Sequence, residues 1–557
     1  SLSANWMWPC KNPGEDAALY AAVQSCSDFA CALGINIPTG KDSLSMTQKY
    51  GADKVFAPGT VIISAGAQTD DVRKTVSPVL QNRKNSELYY IDFSADALRL
   101  GGSAFFQALN HVGGDVPTVK DAGYFKSVFN AVQTLVKTNR VLAMHDVSAG
   151  GLVTALLEMV FANTNGGLSI TSEGFVANGE TDAAKIWFAE NPAVVIQVED
   201  SKRPAVEKIL AKAGARFWIL GRPSAERTLL LEHQGSEHLV GIDHCRDVWF
   251  HTSYLFDAIQ SGNECATERF ENYKRQPLRY AIPASWNGKL ADRGLKLRRD
   301  NASGVRAAII REKGVNGDRE MAYSLYLAGF DVKDVHMTDL MSGRETLDDV
   351  NMIVFCGGFS NSDVLGSAKG WASGFRWNET ARETLKRFYA REDTLSLGIC
   401  NGCQLMVELG LLSPEGTPDN ARPHMEHNIS HKFESQFVGL TIPANNSVML
   451  KSLAGMKLGI WVAHGEGRFM LPGKMANYNI VAKYNYAAYP ANPNGSRYAT
   501  AAIASADGRH LAMMPHLERA IFPWQCAYYP AARKADEVTP WIEAFVNARE
   551  WIEKNAR

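Results

Sequence analysis

Cys400 stands in Leu397-Gly398-Ile399-Cys400-Asn401-Gly402, directly after a short apolar run and directly before a helical pattern. The pattern predicts a strand, a sharp turn and a helix, with the thiol at the apex and a glycine two residues to either side. Such a turn exposes a nucleophile at a strand's end, above a helix N-terminus. The helix dipole and its free amides favour a thiolate and a developing oxyanion. A thiol nucleophile needs a base, and the base needs an orienting group. Of the thirteen histidines, His516 and His464 each precede a carboxylate by two residues, Glu518 and Glu466. On an extended segment that spacing points both side chains the same way, so the carboxylate can fix the ring's tautomer. Both pairs remain candidates on this reading. Cys400-Asn401-Gly402-Cys403 is also a C-x-x-C, so redox chemistry and a buried structural cysteine stay open beside the nucleophile. The flanking glycines, and a turn without proline or aromatics, favour the nucleophile.

Two stretches near the start also carry polar chemistry. His145-Asp146-Val147-Ser148-Ala149-Gly150-Gly151 follows the strand-like Val141–Met144 and precedes a helical run, Val153 to Phe161. An acid and a hydroxyl before paired glycines at a helix start suit Mg2+ and phosphate oxygens, or an ordinary N-cap. Gly40-Lys41-Asp42-Ser43 lacks the order of a P-loop and reads as a helix cap or polar turn.

These groups must be held by elements that the apolar pattern outlines. Val61–Ala65, Leu88–Asp92 and Val194–Val198 read as strands. Helices are expected over Asp121–Lys137, with Phe125, Val128, Phe129, Val132 and Leu135 on one stripe, and over Arg203–Ala213. From Gly304 onward the alternation is clearer. Strands are expected at Arg306–Ile310, Asp331–Met337, Met352–Cys356 and Leu395–Ile399, with helices at Arg319–Ala328 and Ala381–Ala390. That order predicts a doubly wound parallel sheet, in which ligands gather at the carboxyl ends of the strands. Cys400 and the Gly357-Gly358 loop both fall at such ends. Between these regions, Leu231 to Asn301 lacks a clear period and reads as a polar, aromatic connector.

The bulk numbers exclude several classes. A formal net charge of -1 in 557 residues gives no basic excess for nucleic acid. No apolar stretch approaches a membrane span, and no signal peptide opens the chain. Nine irregularly spaced cysteines read as reduced thiols in the cytoplasm. A first residue of Ser leads us to expect a fragment of a longer polypeptide.

Gly398-Ile399-Cys400-Asn401-Gly402, Gly357-Gly358-Phe359-Ser360 and Pro515-His516-Leu517-Glu518-Arg519 resemble the class I, triad-type glutamine amidotransferases. Arg311 to Asn316, Asp363 to Gly366, His464 to Arg468 and Tyr489 to Ser496 narrow this. They look like the glutaminase domain of the phosphoribosylformylglycinamidine synthase family, over essentially all of Gly304 to Arg557. The resemblance implies a triad of Cys400, His516 and Glu518, with Leu517 where that family usually shows proline. It implies an oxyanion hole from the amide of Asn401 and one from Gly357-Gly358, and makes Phe359, His464 and Glu466 part of the glutamine pocket or an interface.

The stretches at Ser1–Met7, Gly40–Met46 and His145–Leu152 resemble the second half of that family's synthetase portion, a fold shared with aminoimidazole ribonucleotide synthetase. This implies Asp146 as a metal ligand and Ser148 as a nucleotide contact, at an auxiliary site for ATP and Mg2+ whose other ligands lie upstream of Ser1. The expected domains are 1–85 (partial synthetase N-type), 86–230 (synthetase C-type), 231–303 (connector) and 304–557 (glutaminase). The fold class is α/β: synthetase-like α+β domains followed by a doubly wound, flavodoxin-like glutaminase. The implied activity is glutamine- and ATP-dependent conversion of formylglycinamide ribonucleotide to its amidine, a purine-biosynthetic ligase step. The implied partners are these three substrates and the N-terminal half of the same polypeptide, in a monomer.

Overall fold

The computed structural model describes residues 1–414 and 416–555. The chain divides into two units, Ser1–Trp249 and Phe250–Arg557.

In the first unit, strands Thr39–Ser43, Leu2–Met7 and Thr60–Ala65 form a small sheet. The stretch expected as a cap or polar turn is therefore a strand, parallel to Leu2–Met7. Gly40 permits this, because a Cβ there would lie 1.9 Å from the carbonyl oxygen of Ala4. A seven-stranded, mostly antiparallel sheet follows, with Ala143–Val147 at one edge. Helix Ala122–Lys137 starts where the Asp121 carboxylate accepts from the amide of Tyr124 at 3.0 Å. It buries Val128, Ala131, Val132 and Leu135, while Phe129, placed on the same stripe by the sequence, is exposed.

The region read as a connector is more regular than its pattern implies. Thr228–His233 and Ser236–Gly241 pair as a hairpin, and Ile242–Asn272 is helical with a break at Gly262. Phe256 and Ile259 are exposed on that helix, which is why no one-sided apolar stripe marks it in the sequence.

The second unit is built on a nine-stranded sheet. Strands Asp331–His336, Arg306–Arg311, Met352–Phe355, Leu395–Ile399 and His510–Met513 run parallel in that spatial order. Thr500–Ala504, Asn479–Tyr484, Glu434–Thr441 and Lys457–His464 extend it with antiparallel pairings. The parallel half matches the expected winding. The antiparallel half was not anticipated, because its strands follow one another without the helical spacers that mark a parallel crossover. Parallel strands covered on both faces bury every side chain, and Met352–Phe355 and Leu395–Ile399 are buried throughout. Helix Glu379–Ala390 begins where Asn378 accepts from the amide of Ala381, and it buries Ala381, Thr384, Leu385 and Phe388 at helical spacing.

Candidate active site

The strand Leu395–Ile399 ends at Cys400, and helix Asn401–Glu408 begins at the next residue. Cys400 has φ 52° and ψ -107°, a conformation that costs a non-glycine residue on the order of 1–3 kcal/mol. The neighbouring glycines serve close approach. A Cβ at Gly398 would lie 2.5 Å from the carbonyl oxygen of Gly402, and one at Gly402 would lie 2.0 Å from that of Phe355. The strain thus sits on the nucleophile, and the glycines let strand and helix close around it.

His516 and Glu518 reach Cys400 from the segment after strand His510–Met513, which pairs with the nucleophile strand. The amide of His516 donates to the carbonyl oxygen of Trp461 at 2.9 Å. Nδ1 of His516 lies 2.6 Å from Oε1 of Glu518. Burial would push the His516 ring down, but the Glu518 charge and the Cys400 thiol hold it well above its ordinary value. Glu518 occupies Nδ1, which leaves Nε2 as the ring's remaining site; that atom makes no complete hydrogen bond of its own. Cys400 and His516 converge over Gly357, where a Cβ would lie 2.8 Å from His516 Cε1 and 3.3 Å from Cys400 Cβ.

His464, the rival base, is 2% exposed and stands apart from its carboxylate. Its ring folds onto Gly467, where a Cβ would lie 2.5 Å from Nδ1. Burial holds the ring down to about 3, so it stays neutral. Glu466 instead accepts from the amide of Ser367 at 3.3 Å. The shared i, i+2 spacing therefore yields one His–Glu pair and not two, because the glycines around Glu466 turn the second segment out of an extended path.

Cys400 is 5% exposed, less open than its turn implies. Its Sγ lies 3.4 Å from the carbonyl oxygen of Ala463. Cys403 is fully buried, and burial pushes its thiol well up, which disfavours redox exchange.

In the facing loop, Asn316 donates its amide to the carbonyl oxygen of Gly357, and Phe359 donates to that of Gly314. Asn401 accepts the amide of Ser360 at 3.2 Å through its side chain, tying the helix start to the Gly357-Gly358 loop. The Phe359 ring is 46% exposed, with its centroid 6.0 Å from that of Phe433.

Sequence reasoning missed Gln404. It lies one helical turn beyond Cys400 and donates to the carbonyl oxygen of Glu466 at 2.7 Å. The i, i+4 spacing from the thiol was the signal that could have found it. A cavity of about 560 Å³ opens beside Gln404 and Glu466, with Ser367, Arg422, His424 and Arg468 also on its wall.

Asp146 and Ser148 lie elsewhere, in the first unit. Asp146 is inside the strand Ala143–Val147 rather than on the turn expected for it, and its side chain is 74% exposed. The strand runs further than its apolar residues because Asp146 pairs in register with Val194 at the sheet edge. Ser148 is exposed just before helix Gly151–Phe161. Among the described residues, no group of three or more His, Cys, Asp or Glu side chains is placed to hold a metal ion.

Comparison with known proteins finds three family matches along the chain. Residues 304–552 match the CobB/CobQ-like glutamine amidotransferase domain, 1–68 the FGAR-AT PurM_N-like domain, and 88–232 the AIR synthase related protein C-terminal domain. The chain is 39% identical to the probable chloroplastic/mitochondrial phosphoribosylformylglycinamidine synthase of Arabidopsis thaliana, over 99% of this chain and 40% of that protein. It is 38% identical to phosphoribosylformylglycinamidine synthase of Homo sapiens, over 99% of this chain and 42% of that protein. It thus spans about two fifths of the length of these relatives. Among solved structures, PurLQS from Thermotoga maritima is similar at 26% identity, covering 46% of this chain and all of that one, with a TM-score of 0.34. No helix among the described residues is long and apolar enough to cross a membrane.

Proposed function

We propose that this chain, which belongs to the phosphoribosylformylglycinamidine synthase family, carries a glutaminase centred on Cys400. The observation that carries the reading is the convergence of a strained cysteine at the N-cap position of a helix with the buried His516–Glu518 pair.

Cys400 attacks the side-chain amide carbon of glutamine, and its proton resides on His516. Glu518 holds the imidazolium through Nδ1. The amide of Asn401 and one from Gly357-Gly358 stabilise the tetrahedral oxyanion. Collapse breaks the C–N bond, His516 delivers the proton, and ammonia leaves. Water, activated by the same histidine, then hydrolyses the γ-glutamyl thioester. Gln404 stands one helical turn from the thiol and holds the Glu466 carbonyl oxygen, and the amino-acid end of glutamine would lie beside this pair.

In the whole enzyme, ammonia would pass to a synthetase site where ATP activates the amide oxygen of formylglycinamide ribonucleotide. The remaining synthetase residues would be supplied by sequence beyond these 557 residues, within one monomeric polypeptide. Asp146 and Ser148 are our candidates for contacts to Mg2+ and nucleotide, with the other metal ligands supplied from outside this chain. Nine free thiols support a reducing, cytoplasmic setting.

In the complete enzyme, Cys400→Ala should abolish glutamine-dependent amidine formation and spare ammonia-dependent formation. Equal loss of both would sink this division of labour.

A further inference from the structure

The hydrogen bonds of Asn428 run to segments that do not bear the triad, and nothing in its sequence context singles it out. It is fully buried between strands His424–Glu426 and Glu434–Thr441. Its backbone amide donates to the carbonyl oxygen of Gly465 at 2.9 Å. Its side-chain Nδ2 donates to the carbonyl oxygen of His464 at 2.7 Å and to that of Lys432 at 3.0 Å. Its Oδ1 accepts the amide of Gly467 at 3.1 Å. One residue thus grips three members of the turn that follows Ala463, whose carbonyl oxygen lies 3.4 Å from Cys400 Sγ. Of the carbonyls it leaves, that of Gly467 accepts from Asn494 Nδ2 at 2.7 Å, and those of Ala463 and Glu466 meet Cys400 Sγ and Gln404 Nε2.

Those facts separate two functions within the turn. The glycines at 465 and 467 give the chain freedom to bend, which also lets it move. Asn428 removes that freedom with charge-neutral bonds whose loss would leave buried groups of the turn unpaired. The triad does not depend on it, because Cys400 is fixed by its own strand and helix, and His516 by Trp461 and Glu518.

We infer that Asn428 is a positioning residue for glutamine: it sets the wall of residues 463–467 against the nucleophile, and so controls substrate affinity rather than thiol reactivity. The inference rests on the glutaminase reading above.

The test uses the full 557-residue chain and two probes of Cys400. A diazoketone analogue of glutamine reports substrate recognition by saturable alkylation. Iodoacetamide reports the thiol alone. For Asn428→Ala the half-saturating concentration of the analogue should rise about tenfold or more, with the limiting alkylation rate and the iodoacetamide rate within about twofold of wild type. Asn428→Asp, isosteric and still able to accept from Gly467, is the second variant if the alanine form does not fold. It should show the same split. Ser430→Ala, in the same buried segment but bound to Glu434 at 2.6 Å and not to the turn, should leave half-saturation unchanged. Parallel loss with both reagents, or an equal effect from Ser430→Ala, would reduce Asn428 to a structural residue and overturn the inference. Unchanged half-saturation in both Asn428 variants would overturn it too. Failure of the analogue to label the wild-type chain saturably would instead overturn the glutaminase reading, and this inference with it.

Discussion

His516 Nδ1 and Glu518 Oε1 lie 2.6 Å apart, and the two side chains are 2% and 1% exposed. A buried carboxylate beside an imidazole does two things. It fixes the ring with Nε2 free, and it holds a proton on the ring against the cost of burial. Glu518→Gln keeps the shape and removes the charge. The limiting rate of glutamine hydrolysis should fall by about a hundredfold or more, with KM little changed, because the charge stabilises the imidazolium of the reacting state. Steady-state kinetics at fixed pH measures this; a rate within a factor of a few would show that Glu518 only packs.

The same pair makes stability depend on pH. His516 is carried from its ordinary 6.5 up to about 10, with burial opposing and Glu518 and Cys400 raising it. The folded state therefore binds a proton that the unfolded state releases across that interval. The contribution is fully present below 6.5 and is lost as pH rises through about 10. Denaturant midpoints taken from pH 6 to pH 10 should fall more steeply for wild type than for Glu518→Gln. Parallel slopes would place the proton elsewhere.

Gly357 lies under both reacting side chains. Alanine there would put a Cβ 2.8 Å from His516 Cε1, a ring that Glu518 and surrounding packing do not let retreat. Gly357→Ala should cost about a hundredfold in turnover through sub-ångström displacement of the ring. Thermal unfolding should move much less than for Gly402→Ala, whose Cβ would meet backbone at 2.0 Å. Comparable unfolding shifts in the two variants would contradict this.

Cys403 separates the nucleophile from the redox reading. It is fully buried in the same core as Leu397 and Met406. Cys403→Ala should keep glutaminase turnover within about twofold and cost about 1 kcal/mol of stability. Loss of turnover to background would restore a role for the second thiol.

Much of the site was legible because its residues are close in sequence to the elements that hold them. The thiol adjoins its strand and helix, and His516 and Glu518 share one segment. The parallel strands were legible because both faces are buried, which leaves unbroken apolar runs at Met352–Phe355 and Leu395–Ile399. Local pattern fails where a role is set by distant chain. His464 and His516 have the same spacing to a carboxylate, and the fold separates them: the His464 ring packs on Gly467, while His516 meets Glu518 and faces Cys400 over Gly357. Gly40–Ser43 reads as a turn until Leu2–Met7 lies beside it. Gln404 needed the helix to bring it to Glu466, and Asn428 had no local signature at all. Asp146 reads as part of a turn until Val194 pairs with it across the sheet edge.

The most direct test of the account is to mix the 557-residue chain with glutamine, quench in acid, and map the modified peptide by mass spectrometry. A γ-glutamyl adduct confined to Cys400, absent in Cys400→Ala and retained in Cys403→Ala, is the expected result. An adduct on another cysteine, or ammonia released with Cys400 replaced, would contradict it.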